Sequence, residues 1–310
     1  MHIKNMGFKL SDGALLRNYE DKIKYMEKRN TCFAYKNIGS ENKKIIDIPY
    51  IKYNIFEGYD ELVHGFSTRL GGVSKEHLAS MNLSFSRNDD EASVMENHRR
   101  FAQAVGYDFN KLVFSDQVHD VNIRVVTKDD IGKGITVPSD IKGIDGLITD
   151  ERDIPLMTFY ADCVPLYFYD PVRHVVALAH SGWKGTVKKI GSIMVDKMNK
   201  LYGCKKDDIL CAIGPSICKN CYEVSSDVAI RFEKAYSKAE IKKILFPKEN
   251  EKYLLDLHQA CKYNLINAGI GEEHIAMPDL CTCCNSNILF SHRATKGMRG
   301  NLAAVIMLKK

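Results

Sequence analysis

The chain has 310 residues, 45% of them apolar and 27% charged, with a formal charge of +5. That balance excludes a disordered or collagen-like chain, and the length suffices for one large core or two small domains. The small positive excess, scattered as surface lysines, argues against nucleic-acid binding and remains compatible with small anionic ligands.

No segment approaches the roughly 18–20 consecutive apolar residues of a membrane span. The opening "MHIKNMGFKLSDG" lacks the apolar stretch of a secretory leader. A cytoplasmic protein with no membrane contact is expected, its ten cysteines reduced. In that compartment clustered cysteines point to metal or nucleophile chemistry before disulfides, although any single one is more often a small buried apolar residue.

In chain order, residues 1–48 are rich in Lys and Asn, with weak alternation in "TCFAYKNIG" and "KKIIDIPY". They are expected to form an extension, a hairpin or strand layer, packed on a main domain of residues 49–310. "LVHGFST" is a strand candidate, and "HGFSTRLGGVS" sets Arg69 beside Gly71-Gly72. A fixed cation next to free backbone N–H groups is how oxyanions are held; the plainer alternative is a glycine turn with a surface arginine. "NDDEASVMENHRRFAQAVG" predicts a helix: acids at its start, Val94, Phe101 and Val105 on one face, Gly106 as terminator.

"KLVFSDQV", "VNIRVVT", "GLITD", "IPLMTFYADCVPLYFYD" and "HVVALAH" read as strands. "TVKKIGSIMVDKMNKLYG" aligns Val187, Ile190, Met194, Met198 and Leu201 as a helical stripe ending at Gly203. "DILCAIG" and "LAAVIML" are further strands; "SSDVAIRFEKAYS" and "DLHQACKYNLINAG" are helices, the latter stopped by Gly269. Helices alternate with strands close enough to pair antiparallel, so an α+β domain with mixed sheets is favoured over a doubly wound parallel sheet. The sequence has neither a G-x-G-x-x-G nor a P-loop pattern.

Asp170-Pro171-Val172-Arg173 is a good turn. If residue 170 pairs with 173, Cys163 falls directly opposite His180 on the same sheet face, where cross-strand Cβ atoms are about 4.5–5.5 Å apart. That spacing suits two ligands of one metal or a thiolate–imidazole pair. After His180 the chain passes Gly182 and Gly185 into a helix whose first N–H groups attract anions. A metal needs a third ligand, and "KLVFSDQV" runs into His119. Spacing alone does not select it, because the other eight histidines compete, His64 foremost. One cysteine and two histidines would leave a fourth position open, as in catalytic zinc sites.

Cys218-Lys-Asn-Cys221 and Cys281-Thr-Cys283-Cys284 suggest an all-cysteine zinc site as an alternative. It is disfavoured here, because the second group is read as lacking the usual two-residue gap and Cys221 is read as running into a helix.

The blocks "HGFSTRLGGVS", "QVH", "DGLIT", "ADCVPLYFYDP", "ALAHSGWKGTV", "AIGPSICKNCYEV", "DLCTCC" and "LFSHR" occur in the order seen in the YfiH-like laccase-domain family, over roughly residues 50–308. The chain resembles that family, once called polyphenol oxidases and now described as purine nucleoside phosphorylases with adenosine deaminase activity. The resemblance implies a layered α/β/β/α sandwich of mixed sheets, similar to the toxin deamidase CNF. It also implies zinc held by His119, Cys163 and His180. Two positions depart from the family pattern: His292 stands for a Tyr, and Asn301 for an Arg after the closing glycine.

The function expected is phosphorolysis of adenosine, inosine and methylthioadenosine with accompanying adenosine deamination. Nucleoside and phosphate are the expected partners. Arg69, with Gly71-Gly72 and Arg293, is the candidate phosphate clamp; Asp162 is a candidate proton carrier or ligand orienter; His64 is a sugar-binding or structural residue. Copper is the less favoured metal, because the sequence lacks the His-Cys-His run of laccase-type oxidases. The rivals are a metal-free Cys–His hydrolase and a non-catalytic, partner-binding member of the fold.

Overall fold

A computed structural model describes residues 8–9, 15–16, 31–39 and 45–310. The segment examined for a leader therefore lies almost wholly outside the described residues. β1 (Phe8–Lys9) and β2 (Leu15–Leu16) make a small antiparallel ribbon. The first large sheet comprises β3 (Thr31–Gly39), β4 (Ile45–Tyr53), β5 (Leu62–Ser67), β6 (Val113–Phe114), β9 (Leu156–Tyr160) and β17 (Leu302–Leu308), in the order β3-β4-β5-β17-β9-β6. The second comprises β7 (Ile123–Val125), β8 (Gly146–Thr149), β10 (Val164–Asp170), β11 (Val175–Ser181), β12 (Leu210–Ile213) and β16 (Ile275–Ala276), in the order β16-β12-β10-β11-β8-β7. β13 (Glu223–Ser225), β14 (Leu245–Pro247) and β15 (Lys252–Leu255) form a third, three-stranded sheet. Both large sheets are mixed: the first has one parallel pair at one margin, β6 with β9, and the second has one at each margin, β12 with β16 and β7 with β8.

Alternation along β10 and β11 sets the layering. Tyr167, Tyr169, Val176 and Leu178 point to one side, into a core shared with Phe66, Leu156 and Ile306 of the other large sheet. Leu166, Phe168, Ala177 and Ala179 point to the other, toward helices. Strands buried on both faces belong between two layers. The helices supply the outer layers. α1 (Glu91–Val105), capped by Asp90 and closed by Gly106 at φ 97°, buries Phe101 and Ala102 against the outer face of the first sheet. α2 (Trp183–Val187), α3 (Ile190–Tyr202) and α6 (Leu257–Asn267) cover the second; α4 (Ser226–Ala235) and α5 (Lys238–Ile244) flank the third sheet, and α7 (His292–Thr295) precedes β17. The result is the α/β/β/α sandwich.

Three expectations are corrected. The single helix anticipated over 186–203 is broken at Lys189, which takes a left-handed φ of 63°, and Leu201 turns outward at 53% exposure while Met194 and Met198 are buried. "KLVFSDQV" contributes only the two residues of β6. The apolar run 154–170 is two strands in two different sheets, because the backbone reverses at Asp162, φ 84°. No described helix is long and apolar enough to cross a membrane.

Candidate metal and substrate site

That reversal between β9 and β10 places Cys163 where the two sheets meet. β10 and β11 pair Asp170 with Val175 and Pro165 with His180, two residues away from the register in which 170 meets 173. The longer turn forms because Asp170 Oδ1 accepts the N–H groups of both Val172 and Arg173, at 2.8 and 2.9 Å, and His174 adopts φ 51°. A slip of two preserves the face, so Cys163 and His180 still point the same way, into the space between the sheets. Cys163 and Gly182 lie one step beyond the last paired residues, Val164 and Ser181. A Cβ at Gly182 would lie 3.1 Å from Cys163 Sγ and 3.0 Å from His119 Cδ2, so glycine keeps the space between these side chains free.

His119 arrives on the loop after β6 with φ 62°. Asp145, fully buried just before β8, holds this loop: its carboxylate accepts the N–H groups of Val118 (3.1 Å), His119 (2.9 Å) and Asp120 (2.9 Å). The same carboxylate lies 2.8 Å from His180 Nδ1. That bond commits His180 Nδ1–H to Asp145 and leaves Nε2 as the free ligand atom. The ligand atoms of His119, Cys163 and His180 lie within 4.8 Å of one another.

Burial is the largest influence on the Cys163 thiol and pushes it up, yet His180 and His119 outweigh it and bring it down to about 6. Burial likewise opposes charge on His180, but Cys163 and Asp145 raise it to about 9. Asp145 remains below the usual carboxylate range despite burial, because His180 and the backbone N–H groups favour its anion. A thiolate, two imidazoles and a carboxylate behind one of them fit a zinc-type ion with an open position.

His119, Cys163 and His180 line a cavity of about 780 Å³. Phe85, Phe114, Phe159, Trp183 and Tyr222 give it aromatic walls; Phe114 and Phe159 meet edge to face at 5.1 Å, and Phe85 stacks on His98 at 5.6 Å. Arg87, Arg293 and Arg299 also line it. The Nε atoms of Arg87 and Arg299 are buried and have no hydrogen-bond partner among the described residues. Burial, then the charge of Arg87, lowers Arg299 to about 10. Two cations that destabilise each other in a half-buried wall favour an anion between them. Asn301 lines the cavity with its Oδ1 likewise unpartnered among the described residues, and His292 borders it too.

Asp162 sits beside the trio, with both carboxylate oxygens engaged: Oδ1 accepts from Thr282 Oγ1 and Oδ2 from the Arg293 N–H, each at 2.6 Å. Arg293 turns its guanidinium onto the carbonyls of Cys221 and Glu223.

Arg69, His64, Gly71 and Gly72 are not among the residues lining the cavity. The Arg69 guanidinium donates twice to Ala79 O (2.8 and 2.6 Å) and once to Ser286 O (2.8 Å), and it lies over the Phe290 ring. Gly72 gives its N–H to Ser80 Oγ, and a Cβ there would come within 2.1 Å of Ser80 O; Gly71 allows the turn with φ 87°. These are packing contacts. His64 is buried among Tyr53 and Phe56 and accepts the Tyr53 N–H.

Sequence reasoning missed Asp145 and Arg87. Asp145 left one trace, the acid opening "DGLIT"; Arg87, in "FSRNDD", left none.

Residues 63–309 match the family model described as multi-copper polyphenol oxidoreductase laccase. The purine nucleoside phosphorylase YlmD of Bacillus subtilis is 36% identical over 251 residues, spanning 81% of this chain and 90% of that protein. The crystal structure of YlmD from Geobacillus stearothermophilus superposes with a TM-score of 0.78 at 32% identity, covering 89% of this chain and all of that one. The crystal structure of Bacillus licheniformis hypothetical protein YfiH also gives 0.78, at 35% identity, over 82% and 95% of the two chains.

Proposed function

The chain belongs to the family described as multi-copper polyphenol oxidoreductase laccase, and on that premise we propose that it is a zinc-dependent purine nucleoside phosphorylase. Adenosine, inosine and methylthioadenosine are the proposed substrates, with adenosine deamination at the same site and a cytoplasmic location. The relatives' names support a nucleoside-processing enzyme. The observation that carries the reading is the pair of guanidinium nitrogens, on Arg87 and Arg299, without a hydrogen-bond partner among the described residues, in the cavity that also holds the Cys–His trio and the aromatic walls.

Phosphorolysis breaks the bond between C1′ and the base nitrogen while a phosphate oxygen bonds to C1′. Arg87 and Arg299 hold the phosphate dianion, whose negative charge offsets the positive charge that develops on the sugar. Phe114, Phe159 and Phe85 stack the flat base, and Asn301 Oδ1 accepts an N–H from it. His119, Cys163 and His180 would hold zinc, with Asp145 fixing the two histidines. When bound, zinc supplies a Lewis acid that activates water near neutral pH, which deamination requires. Asp162 already accepts two hydrogen bonds, and this supports an orienting role over proton transfer. Zinc is favoured over copper because one thiolate and two imidazoles with an open position suit a hydrolytic ion. Residues 1–48 we treat as an extension of the domain, since β3 and β4 continue its first sheet.

Incubating the zinc-loaded protein with adenosine, with and without phosphate, tests the reading. Adenine and ribose 1-phosphate are expected with phosphate, and inosine without it. No turnover under either condition would leave a non-catalytic member of the fold.

One observation favours a second reading. Cys163, His180 and Asp145 form a thiolate–imidazole–carboxylate series, as in cysteine hydrolases. A metal-free hydrolase would turn over amides after zinc is stripped, and zinc would inhibit it.

A further inference from the structure

Cys218, Cys221, Cys281 and Cys284 come from two loops that the sequence separates by about sixty residues, and their sulfur atoms all lie within 4.8 Å of one another. Cys284 Sγ is 3.4 Å from Cys221 Sγ and 4.0 Å from Cys218 Sγ. Four sulfurs at about 2.3 Å from a tetrahedral zinc stand about 3.8 Å apart, and the observed pairs bracket that value. We propose that these four residues bind a structural zinc ion, separate from the site at Cys163, that fastens the two loops bordering the cavity.

The sequence objections to such a site do not hold in the fold. Cys281 and Cys284 are spaced by two residues, Thr282 and Cys283, so the motif is C-x-x-C twice over. Cys221 ends a short 3-10 turn, Lys219–Cys221, ahead of β13, and does not enter a helix.

Three further observations support the ion. Every cysteine from Cys163 to Cys284 is free of disulfide. Cys281 Sγ accepts the N–H groups of Cys218 at 3.2 Å and Cys284 at 3.4 Å, the backbone donation that lets a buried sulfur carry negative charge. Cys218 and Cys281 are buried while Cys221 and Cys284 are partly exposed, leaving an entry path. The surrounding chain also needs a fastener, because residues 277–291 contain no helix or strand, and so long an irregular stretch in a compact domain requires an anchor.

The ion would sit one step from the cavity. Thr282, inside the second motif, donates its N–H to Ser216 O (3.1 Å) and its hydroxyl to Asp162 (2.6 Å). Ile217, just before the first motif, donates to Asp162 O at 3.0 Å and lines the cavity. Both clamped loops thus close on Asp162, the neighbour of Cys163. The role is closed and structural: four protein ligands leave no position for substrate.

The test is the metal content of the full chain, purified reduced and with zinc. Two zinc ions per chain are expected for wild type, and one for Cys163→Ala. The double variant Cys221→Ser/Cys284→Ser is expected to lose one equivalent and become protease-sensitive within 277–291. Cys283→Ser, an adjacent thiol outside the tetrad, should retain both ions. If the double variant does not fold, cobalt-loaded Cys163→Ala decides the matter: sulfur-to-cobalt charge-transfer absorption must persist there, because the tetrad is then the remaining thiolate cluster among the described residues. A Cys163→Ala protein without metal or charge-transfer absorption, or a Cys283→Ser protein that loses the same equivalent, overturns the proposal.

Discussion

Replacing Asp145 by Asn changes one atom and should unmake the Cys–His centre. Its carboxylate accepts four hydrogen bonds, three from consecutive backbone N–H groups and one from His180. An amide has one acceptor oxygen, so its nitrogen must face two of those donors. If it faces Val118 and Asp120, the His119 loop lifts away. If it faces His119 and His180, the imidazole shifts its proton to Nε2 and ceases to be a ligand. Hydrogen bonds to charged groups contribute about 1.5–3 kcal/mol each, so losing two costs about 3–6 kcal/mol. Zinc affinity should fall about ten- to a hundredfold, the usual effect of removing a group that orients a ligand. Competition with a chromophoric chelator measures the affinity, and urea unfolding measures the stability. Asp120→Asn is the control: its side chain makes an exposed ion pair with Lys188 and accepts the N–H of the next residue, Val121, and its backbone N–H remains. Zinc affinity in Asp145→Asn equal to that of the control would refute the argument.

Cys163→Ala should abolish turnover and remove the metal bound with His119 and His180 while moving the thermal midpoint little, because an open site contributes less to folding than a closed one; metal analysis beside calorimetry checks this. Arg87→Ala or Arg299→Ala should raise the phosphate KM by about ten- to a hundredfold and spare deamination, as measured on one preparation. Arg69→Ala should instead cost about 3 kcal/mol of stability and leave the phosphate KM of the folded enzyme unchanged. Acid should weaken the fold through His64 and His98, which burial, with the Lys52 charge in the case of His64, lowers to about 3 and about 4. Their neutral folded forms cost nothing above about pH 6.5; the unfolded chain gains protons below it, so stability falls by about 2 kcal/mol per histidine at about pH 5. Urea midpoints at two pH values test this, and His98→Gln should flatten the slope.

How far the sequence carried the argument depended on whether the signal was periodic. The alternation in β10, β11 and β17 and the caps of α1 were legible because burial imposes period two on strands and Asp90 and Gly106 mark helix ends. The pairing of Cys163 with His180 was wrong, but their place on one face survived the error of register, since a slip of two residues leaves every side chain on its own face. The division of 154–170 between two sheets was not legible: both halves are apolar, and the break rests on the conformation of one residue, Asp162. Asp145 and Arg87 escaped because their partners lie in distant loops; the cysteine tetrad was visible as an alternative but was set aside on its spacing and on a helix expected at Cys221. Arg69 misled for a related reason: a glycine pair beside an arginine is the same string whether its N–H groups face an anion or Ser80.

β17 has a kinetic consequence. It lies between β5 and β9, pairing Ala304 with Phe66 on one side and Thr158 on the other, so the first sheet cannot close until its most distant segment inserts. Contacts of such sequence separation form late. His119, Asp145, Cys163 and His180 all precede that event, whereas Arg299 and Asn301 lead directly into β17. Assembly thus has an order, with the proposed metal ligands able to gather first and Arg299 and Asn301 completing the proposed anion-binding wall with the last strand. Metal uptake and anion binding, followed separately during refolding, would appear as two phases, the second limited by that insertion.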